Sequence, residues 1–142
     1  NYEVGTDLHF LNRNLHLQSS VYLLSISNLL VAERVGNDQF IGRNAGKTHH
    51  RGVEFQADYR FKIASEIEVS PFLNAAFNFH KFIDFVDETD DFSGNDLTGV
   101  PDKKITAGLR VNHNSGVGVS SNFRYLGSQP ITDSNTLYSD SY

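Results

Sequence analysis

From Val53 to Phe61 the chain reads VEFQADYRF, in which Val53, Phe55, Ala57, Tyr59 and Phe61 alternate without exception with Glu54, Gln56, Asp58 and Arg60. Successive side chains leave a pleated backbone on opposite faces, so this stretch is a β-strand with one apolar and one polar side. The polar side must meet water. The apolar side must be hidden from water, in a protein core or in lipid, and a single strand does not distinguish the two.

Five more segments repeat the pattern. Tyr2, Val4, Thr6, Leu8 and Phe10 alternate with Glu3, Gly5, Asp7 and His9. Leu15 to about Ala32 is strand-like, but its alternation blurs at Tyr22, Leu23, Leu24 and Ile26, as a bulge or an internal packing contact would make it do. Glu66 to about Val86 sets Ile67, Val69, Pro71, Leu73, Ala75, Phe77 and Phe79 against Glu66, Glu68, Ser70, Asn74, Asn78 and His80, with Phe72 and Ala76 out of pattern. Ile105, Ala107, Leu109 and Val111 oppose Lys104, Thr106, Gly108, Arg110 and Asn112, and Val117, Val119, Phe123 and Tyr125 oppose Gly118, Ser120, Asn122 and Arg124.

Three links are turn-sized, LNRN, KIAS and HNSG, and three are long: Glu33 to His50, Asp87 to Asp102, and Gly127 to the end. Short and long alternate strictly. If neighbouring strands are antiparallel, all short turns fall at one end of the sheet and all long loops at the other, the asymmetry of outer-membrane barrels. Strand length points the same way, because a tilted membrane strand needs about 9–11 residues whereas soluble strands usually run to about 5–6. Aromatic residues gather near segment ends, Phe10, Tyr59 and Phe61 by the turns and Tyr2, Phe77, Phe79, Phe123 and Tyr125 towards the loops, as interfacial girdles require. A soluble antiparallel sandwich or lipocalin-like barrel remains the alternative, with the same apolar face turned inward.

Composition removes other classes. The chain has 142 residues, no cysteine and a net charge of -5, which excludes disulfides and thiolate sites and disfavours a grip on nucleic acid. No apolar run approaches the roughly 18 residues of a membrane helix. A mean hydropathy of -0.36 is compatible with a barrel, whose strands alternate. Neither a Ser/His/Asp context nor a Gly-rich phosphate loop is present, so no enzyme and no cofactor are expected.

The order of elements resembles the barrel of a TonB-dependent outer-membrane receptor. The likeness runs through YEVGTDLHFLNRNLHLQSSVYLLSISNLL, NAGKTHHRGVEFQADYRF and LTGVPDKKITAGLRV, with Glu3 and Gly5, Gly46, Gly52, Val53 and Glu54, and Pro101 at the family's positions. The resemblance implies an all-β, antiparallel up-and-down transmembrane β-barrel in the bacterial outer membrane, of which this chain supplies about six strands. It implies a segment from the later half of a larger barrel, residues 1–142 without plug domain. Its partners would be outer-membrane lipid, the receptor's own plug domain, the TonB complex and a small-molecule metal chelate such as a ferric siderophore. A passive porin-like or small structural barrel is the alternative within membranes.

On this reading Val53, Phe55, Ala57, Tyr59, Phe61, Ile67, Val69, Leu73, Phe77 and Phe79 face lipid. Glu54, Gln56, Asp58, Arg60, Glu66, Glu68, His80, Arg110 and Arg124 face the lumen. Arg43, His49, His50 and Arg51, at the base of a long external loop, are the candidate ligand-binding residues, their cations steering an anionic ferric complex. The bland alternative is a polar loop base. Adjacent histidines on a strand point apart, so no metal site is expected from them. The run DFVDETDDFSGND offers Asp84, Asp87, Glu88, Asp90, Asp91 and Asp96, but its spacing departs from a calcium-binding EF-hand loop and reads as solvated acidic surface.

Overall fold

The computed structural model describes residues 1–28, 30–34, 39–44, 46–87 and 89–142, with side chains left aside at 31–34, 40, 43 and 44. Its elements are β1 (Tyr2–Phe10), β2 (Leu15–Ser27), β3 (Leu30–Arg34), β4 (Phe40–Asn44), β5 (Lys47–Tyr59), β6 (Phe61–Ala64), β7 (Ile67–Asn78), β8 (Lys81–Asp84), β9 (Val86–Asp87), β10 (Asp90–Asp91), β11 (Lys103–His113) and β12 (Gly118–Leu126). Among the described residues there is no helix.

The six long strands form one antiparallel sheet in the order β1-β2-β5-β7-β11-β12, with β6 paired to β7 and β8 to β5. The sheet does not close on itself. Its turns, at 11–14, 65–66 and 114–117, lie at one end, and the long connections lie at the other. Leu11, Asn12 and Arg13 all take positive φ in the first turn.

Register fixes the faces, because residues directly opposite across an antiparallel pair point the same way. One continuous row runs Leu8, Leu17, Ala57, Leu73, Ala107, Phe123, and the next runs Val4, Val21, Val53, Phe77. Between them lie Thr6, Ser19, Phe55, Ala75, Ile105 and Tyr125. The apolar sets of six strands therefore merge into one band. On the opposite face, Asp7, Gln18, Gln56, Asn74, Thr106 and Arg124 form a polar row from edge to edge.

Several boundaries differ from the sequence reading. Strand β5 begins at Lys47, so His49, His50 and Arg51 belong to the strand and not to the loop base. The KIAS stretch is largely strand β6, and the turn falls at Ser65 and Glu66, which takes Glu66 off the polar wall and pairs it with His113 at 3.2 Å. The long second segment stops at Ser27, where Asn28 adopts a positive φ, and β3 then pairs with β4 in a separate hairpin. Phe123 shares a row with Ala57, away from the loop end.

The buried aromatic core lies in the loops. Phe82, Phe85 and Leu97 are buried together, with Phe92 and Val100 against them, and the Phe82 and Phe85 rings lie 4.8 Å apart. Phe82 stands opposite Thr48 of β5, a fully buried residue (0% exposed). The acidic run of the second long loop is thus built around phenylalanines. A second set of bonds ties this loop to the C-terminal segment: the Asn95 side chain donates to the Asp133 carbonyl, Asn135 exchanges bonds with the Asp96 backbone, and Gly99 N–H donates to the Pro130 carbonyl.

Candidate functional site

The polar face is the part of the sheet able to do chemistry. It forms a trough of about 590 Å³ lined by Glu3, Asp7, Gln18, Glu54, Gln56, Asn74, Lys104 and Thr106. Large side chains fit on this face where a neighbour is glycine. A Cβ on Gly108 would collide with the Phe72 ring, and one on Gly52 would lie 2.6 Å from the Tyr22 hydroxyl. Phe72 and Tyr22 break the alternation of their own strands because each occupies a glycine vacancy on the next one. Arg110 lies 4.6 Å above the Phe72 ring, a cation–π contact on the polar wall.

At the loop end of this face Tyr22, Thr48, His50, Asn78 and His80 converge. The Asn78 amide nitrogen donates to the Pro101 carbonyl at 2.8 Å, which turns its oxygen towards Tyr22. Tyr22 donates its single proton to that oxygen at 3.2 Å, so its contact with His80 Nε2 at 3.1 Å has the imidazole as donor. The neutral His80 therefore carries its proton on Nε2. His50 meets His80 edge to face with ring centroids 4.7 Å apart, and its Nε2 lies 2.9 Å from Thr48 Oγ1. Two imidazoles and a phenol thus line one place in the wall, beside Lys104 of the trough.

Of the three candidate ligand residues whose side chains are described, His50 alone lies on the polar face. His49 lies on the opposite face by strand parity, and Arg51 stands in the apolar-face register with Leu23. Arg51 instead borders a recess of about 450 Å³ between the outer loops, with Lys81, Asp96 and Tyr138. The Arg43 side chain lies outside the described residues. Tyr22, Asn78 and Thr48 were not singled out from the sequence, and the only sign of them was the blurred alternation at Tyr22.

Glu54, Gln56, Asp58, Arg110 and Arg124 share the polar face, with Glu68 at its turn end 3.8 Å from Arg60. The apolar positions fall on the other face, where Tyr59 stacks on Phe61 at 5.1 Å. Val53, Phe55, Phe77 and Phe79 are exposed, Ala57, Tyr59, Phe61, Ile67 and Leu73 are half-buried, and Val69 is covered by its neighbours (5%). Among the described residues no second layer packs on this band. The acidic run scatters its carboxylates, with Asp96 held by Lys81 at 3.0 Å and Asp91 accepting from Ser93 N–H. Glu88 lies outside the described residues.

An open antiparallel wall with an apolar outer band, a polar inner face, turns at one end and elaborate loops at the other is part of an up-and-down transmembrane β-barrel. The model of the family described as TonB dependent receptor-like, beta-barrel matches residues 1–142, and the chain belongs to that family. The family comprises outer-membrane transport receptors and not enzymes, and they work with a plug domain and TonB. Among curated proteins none matches this chain.

Proposed function

We propose that this chain forms part of the wall and outer loops of a bacterial outer-membrane receptor that binds a ferric siderophore or similar metal chelate and imports it when TonB pulls on the plug. The observation that carries this reading is the separation of faces across six registered strands. One face carries an uncovered apolar band and the other a continuous polar row. An apolar surface of this breadth requires lipid or a partner to cover it. The polar trough then faces the plug, and the six strands are a portion of a larger closed barrel.

At the loop end, Tyr22, His50 and His80 offer aromatic and imidazole contacts, Lys104 supplies positive charge in the trough, and Arg51 adds a cation at the outer recess, where Lys81 is paired with Asp96. Deleting the gene should abolish growth on one ferric chelate as sole iron source, and the receptor should fractionate with the outer membrane. Equal growth of the deletion strain on every chelate tried would remove iron import from the proposal. Recovery of the protein in the soluble fraction would remove the membrane assignment itself.

A further inference from the structure

The hairpin of β1 and β2 carries a second constellation, far along the strands from the histidines at the loop end. Asp7 and His9 are two residues apart on β1 and so share a face. His16 of β2 stands directly opposite His9. All three project from the polar wall near the turn end, and their ligand atoms lie within 4.8 Å of one another.

The contacts are specific. Asp7 Oδ1 lies 2.8 Å from His16 Nε2 and 3.3 Å from His9 Nε2. The two imidazole rings stack with centroids 4.3 Å apart and planes 7° from parallel, so both present Nε2 to one carboxylate oxygen. Gln18 donates to the other oxygen, Oδ2, at 2.8 Å and holds the carboxylate in that orientation.

The geometry points to a binding site for a divalent transition-metal ion of the zinc class, held by Asp7 Oδ1, His9 Nε2 and His16 Nε2. Ligands about 2.0–2.2 Å from a tetrahedral ion are separated from one another by roughly 3.3 Å; the Asp7–His9 separation of 3.3 Å matches this, while the Asp7–His16 hydrogen bond of 2.8 Å would open and the stacked rings would turn so that both Nε2 atoms converge on the ion. Two imidazoles and one carboxylate suit zinc, nickel or copper and not calcium or magnesium, which take oxygen ligands. A fourth position remains for water; Asp58, opposite His16 on β5 and fixed by Gln56 at 2.7 Å, lies outside this group of ligand atoms. Gln18 fills the outer role that metal-bound carboxylates require. Arg13, Arg60 and Arg110 border the neighbouring recess together with His9, His16 and Asp58, so Asp7 is the carboxylate on the side away from that positive charge. Binding would expel whatever protons the two Nε2 atoms carry.

The site does not depend on which solute the receptor imports. The test uses the complete receptor carrying this wall, purified in detergent and stripped with chelator, then titrated with Co²⁺ by visible absorption and with Zn²⁺ by calorimetry. The expected result is a tetrahedral Co²⁺ spectrum, with affinity reduced at least about tenfold in His9→Gln, His16→Gln and Asp7→Asn. Gln18→Ala should weaken binding by about tenfold, and His113→Gln, on a different hairpin, should leave it unchanged. Asp7→Asn preserves the shape of the side chain, and heat-modifiable gel mobility reports folding of every variant. Unaltered Zn²⁺ affinity in folded Asp7→Asn and His9→Gln would overturn the site, as would binding that follows His50 and His80 instead.

Discussion

Gly52 has no side chain, and Tyr22 uses the space. A methyl group there would meet the Tyr22 hydroxyl and the Phe77 carbonyl, each at 2.6 Å, and the second is backbone that cannot swing away. Gly52→Ala should therefore cost about 1–3 kcal/mol in urea unfolding of the lipid-inserted receptor, with Tyr22→Phe much milder. His80, in the link after β7, has its pKa held below the ordinary 6.5 by burial, with His50 and Lys104 adding to the effect. The unfolded chain thus binds a proton that the folded chain refuses, so stability should fall as pH drops below about 6.5. His80→Gln should flatten that slope in unfolding midpoints measured at pH 7.5 and 5.5, and an unchanged slope would show that other groups carry it. Little of this was legible beforehand. Tyr22 and Phe72 stood out as errors in the alternation, but the glycines that accommodate them lie on other strands, and only the register brings them together.

At the scale of an element, β5 was the most readable part of the chain because its period of two is unbroken from Val53 to Phe61. Its start was not, since Lys47, Thr48 and His49 owe their strand conformation to pairing with β2 and β8, a tertiary effect that local pattern does not contain. With Phe55 facing hydrocarbon, Phe55→Arg should cost about 2–4 kcal/mol, whereas Glu54→Gln should stay within about 0.5 kcal/mol. Equal tolerance of the two in a refolding assay into lipid vesicles would contradict the orientation of the strand. Asp84, Asp90, Asp91 and Asp96 of the outer loop are exposed as the sequence suggested, but the apolar cluster beneath them was missed because Phe82, Phe85 and Phe92 follow no strand or helix period. Phe82→Ala should cost about 3–5 kcal/mol locally, seen as new protease cleavage between 81 and 102 while the gel mobility of the folded barrel is retained. The cluster of Asp7, His9 and His16 was hidden for a related reason: each half is visible on its own strand, but the match of His9 to His16 depends on how the Leu11–Asn14 turn sets the hairpin.

For the molecule as a whole, the alternation of short turns with long loops sufficed to read the strand order, since it leaves an up-and-down path as the simplest solution. What it could not reveal is the stitching of the outer loops. In the sheet, β1 and β12 present open edges, and unpaired backbone groups in hydrocarbon cost several kcal/mol each. Expressed alone, residues 1–142 should therefore fail to insert into vesicles as a heat-modifiable monomer, whereas the complete receptor should succeed. Clean monomeric insertion of the fragment would argue for closure within this chain.

The bonds joining 95–99 to 130–135 have a mechanical meaning. Asn95, Asp96, Thr98 and Gly99 are fastened to Pro130, Asp133 and Asn135, and rupturing them together would require several kcal/mol. Force applied to either segment is therefore transmitted to the other, and the two flaps move as one.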